Sequence, residues 1–428
     1  MTRSLAFTLP ALLCAVVLAT ANPCTAQSYT LTVLDPTSVY DARAINNNSQ
    51  IVGDAAPTGD STASNLGDPF LFSNGTLTDL GNFGNPQGAG AYAVNSLGEV
   101  VGLAGTAGGG QKPFLFSNGT LTELPNGGTP LGINTAGTIV GYFTPPPEEP
   151  IDITNAFVIK NGVFTDLGTP LVQSEAHGIN TSGQIAGAAV DPNNNAITAS
   201  VWQPDGTITF LGFLPGENYS RAFAINDAGQ VAGNAYTTVP QYSLHAFLFS
   251  NGKMTDIDTL NSQASWAFGI NKNGVVVGMV ADQPDSLAYH AFVFMGGAMM
   301  DLNTLIPAGS GLTLIQANGI NDAGEIAGQA QSNSDGTVRG FLLTPVPPQI
   351  TSISPASAKV GAVVTITGKN FTKKPAACKV TFNGKVAKLT KWTSTQVQVE
   401  VPAGATTGNV VLTAFFQKSN AKTFTVAK

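Results

Sequence analysis

Cysteine, histidine and charge are all scarce in this sequence: 428 residues include three Cys, three His and only 11% charged side chains. Cys14 and Cys24 lie in an N-terminal stretch that reads as removable, leaving Cys378 as the last cysteine. A disulfide framework of the kind that staples small exported domains is therefore excluded. His177, His245 and His290 are far apart in the chain and make a poor zinc set, so no metal is expected. No Gly-rich phosphate loop, Ser nucleophile elbow or zinc-protease helix is found, so no cofactor is expected either. Beyond the N-terminal stretch, no segment approaches the ~20 apolar residues of a membrane-spanning helix.

Turn chemistry is what the chain has in abundance. Its 48 Gly and 26 Pro accompany a hydrophobic content of 43%, a composition that folds but bends often. The length exceeds one ordinary core and points to two domains. At the N-terminus Arg3, the apolar stretch Leu5 to Ala19 and the small residues before Gln27 read as an export signal over residues 1–26, cut after Ala26 or after Ala21. The mature chain is thus expected to be soluble, monomeric and secreted, working in the extracellular space, the periplasm or at the cell surface. The formal net charge of -7 hides an asymmetry, because Glu400 is the only acid after Pro347 while eleven of the Lys lie there. The acidic larger part argues against a nucleic-acid partner. The basic tail fits either a dock between domains or an anionic envelope.

A repeat organises the larger part. The pattern Ile/Val-Asn-x-x-Gly-x-Ile/Val-x-Gly recurs with its Asn at Asn46, Asn95, Asn134, Asn180, Asn226, Asn271 and Asn321, and a Gly stands seven positions after each, from Gly53 to Gly328. The Gly three positions after is present in all but the first copy, where Ser49 stands. Asn at the first turn position bonds the turn backbone and Gly at the fourth accepts positive φ, so each copy is a tight hairpin. A second hairpin follows, turning at Asn74-Gly75, Asn118-Gly119, Asn161-Gly162, Asp205-Gly206, Asn251-Gly252 and Gly296-Gly297, residue pairs favoured in primed two-residue turns.

Four short antiparallel strands per unit of about 45 residues cannot bury both faces alone and must stack on their neighbours. The last copy lacks its fourth strand, since Pro345 to Pro348 stand in its place, and Tyr29 to Asp35 mimics the missing segment. The fold expected is all-β: a seven-bladed β-propeller over residues 28–345, its last blade closed by the N-terminal strand. An open β-solenoid or a pair of smaller sandwiches are the rivals. The linker is 346–349, and an immunoglobulin-like sandwich fills 350–428, where about seven short alternating strands fit.

The repeats resemble the HAF family of extracellular repeat proteins, whose signature stands here as His245-Ala246-Phe247 and His290-Ala291-Phe292, with Pro69-Phe70, Pro113-Phe114, Ala156-Phe157 and Gly340-Phe341 in other copies. That resemblance implies a secreted protein and supplies no activity. The tail resembles IPT/TIG domains at Gly368-Lys369-Asn370-Phe371 and Val401-Pro402-Ala403-Gly404, which implies an accessory module. Phe415-Phe416 breaks its strand alternation.

If the first strand of each repeat is innermost, its early residues ring one mouth of a central channel. Three positions before each Asn are Arg43, Tyr92, Leu131, His177, Phe223, Phe268 and Asn318; five before are Asp41, Gly90, Thr129, Glu175, Arg221, Trp266 and Gln316. Aromatics, two Arg and two acids suit a pocket for a sugar or peptide, with a polysaccharide or a surface protein as partner. Alternatively these side chains plug the channel. An enzyme would pair Asp41 with Glu175 as acid and base of a glycosidase or lyase. The loops around 54–68, 142–155 and 234–245 share that mouth. Asp191 to Asn195 has the alternate oxygens of a calcium loop but lacks its central Gly and terminal Glu, and reads as a plain Asn-rich loop.

Overall fold

The computed structural model describes residues 29–35, 39–55, 67–85, 89–145, 153–168, 173–237, 243–281, 288–371, 378–414 and 417–428. The signal stretch, most of the 54–68 loop, the middles of the 142–155 and 234–245 loops, and Phe415-Phe416 lie outside them. Among the described residues the chain is all-β, with one 3-10 turn at Leu302–Thr304.

The first six Asn-Gly repeats each fold into four antiparallel strands in sequence order. In the first these are Val39–Ile45, Ile51–Ala55, Asp68–Ser73 and Thr76–Asp79. The tight turn forms for the reason its residues predict. In the fifth copy Asn226 Oδ1 accepts the backbone N–H of Ala228 at 3.1 Å and of Gln230 at 3.0 Å, and Gly229 takes φ 73°. Ser49 adopts φ 59° without the freedom of Gly, and its hydroxyl is held by Glu325.

The second hairpins also turn as expected at five of six sites, with both residues at positive φ, for example Asn118 at 51° and Gly119 at 77°. Asp205-Gly206 is a correction. Here the strands end at Trp202 and resume at Ile208, and only Gly206 has positive φ. The Asp205 carboxylate accepts the Thr207 N–H at 2.9 Å, a local bond that holds Asp out of the left-handed region an Asn occupies elsewhere.

At the far end of the repeats Leu312–Ile320, Ile326–Ser332 and Val338–Pro345 form three strands, and the fourth is Tyr29–Val33, paired antiparallel from Tyr29 opposite Pro345 to Val33 opposite Phe341. The two ends of the repeat region are thereby joined. One difference from separate four-stranded sheets is that the fifth and sixth units merge into one eight-stranded sheet through a single parallel bridge, Leu244 to Ala264.

The core is distributed as wedges between consecutive units. Val52 and Leu80 of one pack with Ala91, Val100, Ala104 and Phe114 of the next, and Val39, Ala42 and Phe70 pack with Ala327 of the last. The Asn column stitches the same seams. The Asn46 side-chain amide donates to the Asn95 carbonyl at 2.7 Å, Asn95 to that of Asn134 at 3.0 Å, and so on through Asn180, Asn226 and Asn271 to Asn321, which returns to Asn46 at 3.2 Å. All seven Asn are buried, so one side chain caps its own turn and bonds the neighbouring unit as well.

The tail forms two facing sheets, one of Gln349–Ser354, Val363–Lys369, Gln396–Glu400 and Lys388–Trp392, the other built on Lys379–Phe382, Gly408–Ala414 and Lys422–Val426. Alternate residues such as Val364, Ile366, Val397, Val399, Val410 and Leu412 fill the space between, as period-2 patterning requires. Among the described residues ten strand segments stand where about seven were expected, because three are only two residues long. Gln417 Nε2 donates to the Ala323 carbonyl in the last tight turn at 2.8 Å.

Candidate functional site

The innermost strand of every repeat carries a β-bulge at the same position, and those of the first and last repeats carry a second one nearer their start. Register shifts fall between Ala42 and Ala44, Ala91 and Ala93, Pro130 and Gly132, Ala176 and Gly178, Ala222 and Ala224, Ala267 and Gly269, and Ala317 and Gly319. The bulged residues are Arg43, Tyr92, Leu131, His177, Phe223, Phe268 and Asn318, the column three before each Asn. The Gly seven after each Asn makes the bulge sterically possible: a Cβ there would lie 1.8–2.1 Å from the carbonyl oxygen of the residue five before the Asn, such as Arg221 for Gly233. A bulge re-aims its side chain, and here it turns the whole column toward the axis.

Three connected spaces make a channel. At one end, the Arg43 mouth, about 230 Å³ is lined by Arg43, Tyr92, Leu131, His177, Phe223, Phe268 and Asn318, with Asp41 and Gln316. The middle, about 280 Å³, shares those residues and adds the apolar ring of Ile45, Ile133, Ile179, Ile225, Ile270 and Ile320. The opposite mouth, about 290 Å³, is lined by the Asn column and the residue after each Asn.

Charges at and beside the Arg43 mouth are internally matched. Arg43 Nε reaches Asp54 Oδ1 at 3.1 Å and Asp41 Oδ2 at 3.3 Å, and its guanidinium lies 4.8 Å from the Tyr92 ring centroid, a cation–π distance. Burial pushes Asp54 up to about 6 despite Arg43, with Asp41 adding to the rise. Asp41 is also raised by burial, against the pull of Arg43 and a 2.8 Å bond from Asn318. On the other side Glu175 accepts from Arg221 and sits 3.3 Å from His177 Nε2. Burial would raise Glu175, but the His177 bond and the Arg221 guanidinium outweigh it and hold the carboxyl at about 2.

Of the residues expected at this mouth, Glu175, Arg221 and Trp266 are not among those lining it. They belong to the column five before each Asn, on the other side of the bulge, and point along the seams. Glu175 bridges to Arg221 of the next repeat, and Trp266 packs edge-on against Tyr289, centroids 6.2 Å apart. Asp41 and Gln316 of that column do reach the mouth. Asp54 was missed by sequence reasoning. It lies on the second strand opposite Asp41, and only the pairing register brings it to Arg43. The other histidines bond carboxylates eleven residues on, His245 Nδ1 to Asp256 Oδ2 at 2.9 Å and His290 Nδ1 to Asp301 Oδ2 at 3.1 Å. Asp191 Oδ1 accepts the Asn193 N–H and side-chain amide at 2.9 and 2.8 Å and so caps its own turn.

Residues 169–381 match the family described as "Protein of unknown function (DUF3466)", and residues 348–426 match the IPT/TIG domain. No curated protein sequence matches the chain. Among solved structures it is similar to a fungal alcohol oxidase of the AA5 family in complex with copper, at 12% identity and TM-score 0.47 over 94% of this chain and 100% of that one. It is also similar to the β-propeller domain of the Trilobed protease from Pyrococcus furiosus, at 12% identity and TM-score 0.42 over 65% and 89%. An acylaminoacyl peptidase from Pyrococcus horikoshii follows at 8% identity and TM-score 0.47 over 79% and 59%. These likenesses are too remote to carry chemistry across. The chain thus carries an immunoglobulin-like IPT/TIG domain at residues 348–426, and its residues 169–381, which run from the repeats into that domain, are similar to a family of unknown function.

Proposed function

We propose that this chain is a secreted, non-enzymatic binding or scaffold protein whose repeats are the seven blades of a closed propeller of HAF type, with the immunoglobulin-like domain as a basic spacer or envelope contact. The ligand, a polysaccharide or a protein, is taken at the Arg43 mouth of the channel. The observation that carries this reading is the bulged column: seven repeats direct seven side chains of six kinds, from Arg43 to Asn318, into one open space. A plug would need only apolar bulk, whereas this ring mixes aromatics, a guanidinium and an amide at the scale of a sugar or a peptide side chain. A glycosidase or lyase is less well supported, because Glu175 does not line the mouth with Asp41, and a carboxyl held at about 2 is a weak general base as well as a poor proton donor.

The test is a glycan array and an envelope pull-down with the full mature chain and its Tyr92→Ala and Phe268→Ala variants. Capture by the parent, weakened at least tenfold in both variants, is the expected result. Capture unchanged in both would remove the site from this mouth, and turnover of any polysaccharide that Glu175→Gln abolishes would replace binding with catalysis.

A further inference from the structure

The two ends of the tail domain differ in what they expose. One end meets the repeats: Gln349, where the chain enters, pairs with Lys369, and Gln417, two strands' ends away beside Ala414, bonds the Ala323 carbonyl. The opposite end gathers three turns. Val363 stands opposite Glu400, and Glu400 opposite Lys388. The Gly361 N–H donates to the Val401 carbonyl and the Val401 N–H to that of Ala362, both at 2.9 Å. Lys385 Cε lies 4.0 Å from where a Cβ on Gly404 would stand.

Seven large apolar side chains are exposed among the described residues, and three of them share this far end: Val360, Val363 and Val386, at 48%, 51% and 63%. Single exposed apolar residues need no explanation, but these three are interleaved with Lys359, Lys385 and Lys388, which are exposed as well. Glu400 is the only acid after Pro347, and Lys388 bonds it at 3.0 Å. Lys359 and Lys385 have no carboxylate partner among the described residues, so the patch keeps an uncompensated positive charge. Val364, Val399 and Ala387, buried just behind it, hold the patch on a packed framework.

We propose that this end of the tail domain is a docking surface for an anionic lipid bilayer. Headgroup phosphates answer the lysines, and the boundary beneath them takes the valines to a shallow depth. An anionic polysaccharide would answer the charge but offers the valines no apolar phase. This role rests on the reading of the domain as an envelope contact, and it narrows that contact to lipid and to one end.

The test is co-sedimentation of the full mature chain with vesicles of equal parts phosphatidylglycerol and phosphatidylcholine, against phosphatidylcholine alone. Binding to the anionic vesicles only, and its loss at high salt, are expected. Lys359→Glu with Lys385→Glu should weaken it at least tenfold, and Val363→Ser with Val386→Ser, at unchanged charge, at least threefold. Lys369→Glu with Lys418→Glu makes the same charge change at the end that meets the repeats and should cost less than threefold. Should a paired variant melt early, Lys385→Glu and Val386→Ser decide singly, since both side chains are exposed. No binding by the parent would overturn the proposal, as would equal losses at the two ends. Undiminished binding without the valines would replace lipid with a soluble polyanion. Envelope pull-down retained without vesicle binding would sink this assignment alone and leave the binding role at the Arg43 mouth standing.

Discussion

Replacing Asn226 tests whether the Asn column joins the repeats or merely shapes turns. Its side chain is 6% exposed. Its Oδ1 accepts two turn N–H groups, and its Nδ2 donates to the Asn271 carbonyl at 2.9 Å and to Gln230 Oε1 at 2.8 Å. Asn226→Ala strips the partners of all four bonds; an orphaned buried group costs about 1–3 kcal/mol, and since such losses are not additive a total of roughly 3–4 kcal/mol is expected. Asn226→Asp keeps both turn bonds and reverses only the seam, because a carboxylate then faces two acceptor oxygens. That variant should lose roughly 2–3 kcal/mol at pH 7. The sign of its pH dependence follows. Burial beside two acceptors raises the new carboxyl above its unfolded value, so the loss is complete above the folded pKa. It is recovered as pH falls toward the unfolded value near ~3.9, where the protonated acid donates to Asn271 again. The assay is urea unfolding at pH 7 and pH 4.5, normalised to the parent at each pH, with Asn118→Asp in an exposed turn as control. A pH-independent deficit in Asn226→Asp, or one no larger than that of Asn118→Asp, would refute the seam role.

Gly233→Ala places a Cβ 2.0 Å from the Arg221 carbonyl and must unmake the bulge, so a loss above about 3 kcal/mol, or no soluble protein, is expected in expression and melting trials. Gly75→Ala meets no neighbouring atom and carries only its φ of 79°, so about 1 kcal/mol is expected from the same measurements. Asp54 has a folded pKa near 6, above its unfolded value. Its contribution to stability is therefore most favourable at low pH and declines as pH rises toward 6, and parent-minus-Asp54→Asn unfolding free energies across pH 3–7 should show that slope. His245 is raised, first by its bond to Asp256. The stability it adds is present below the unfolded value of ~6.5 and lost as pH rises through its folded one, a trend that His245→Ala should abolish in melting curves at pH 5 and pH 8.

The chain announces its periodic features because each rests on local chemistry. Asn-x-x-Gly fixes its own turn through Asn Oδ1 and the left-handed Gly, and the Tyr29 segment was recognisable as the strand missing after Val338–Pro345 because it repeats the pattern of Thr120–Glu123. The column beginning at Arg43 was likewise recognisable as one that could face a channel, since it precedes the turn at constant spacing.

Which column faces the axis was a tertiary matter. Alternation places Phe268 and Trp266 on one side of a regular strand, and only the bulge, enforced by carbonyl contacts at Gly278 and its counterparts, separates them and sends Trp266 and Glu175 into the seams. Asp54 reached Arg43 through a pairing register that no local pattern reveals.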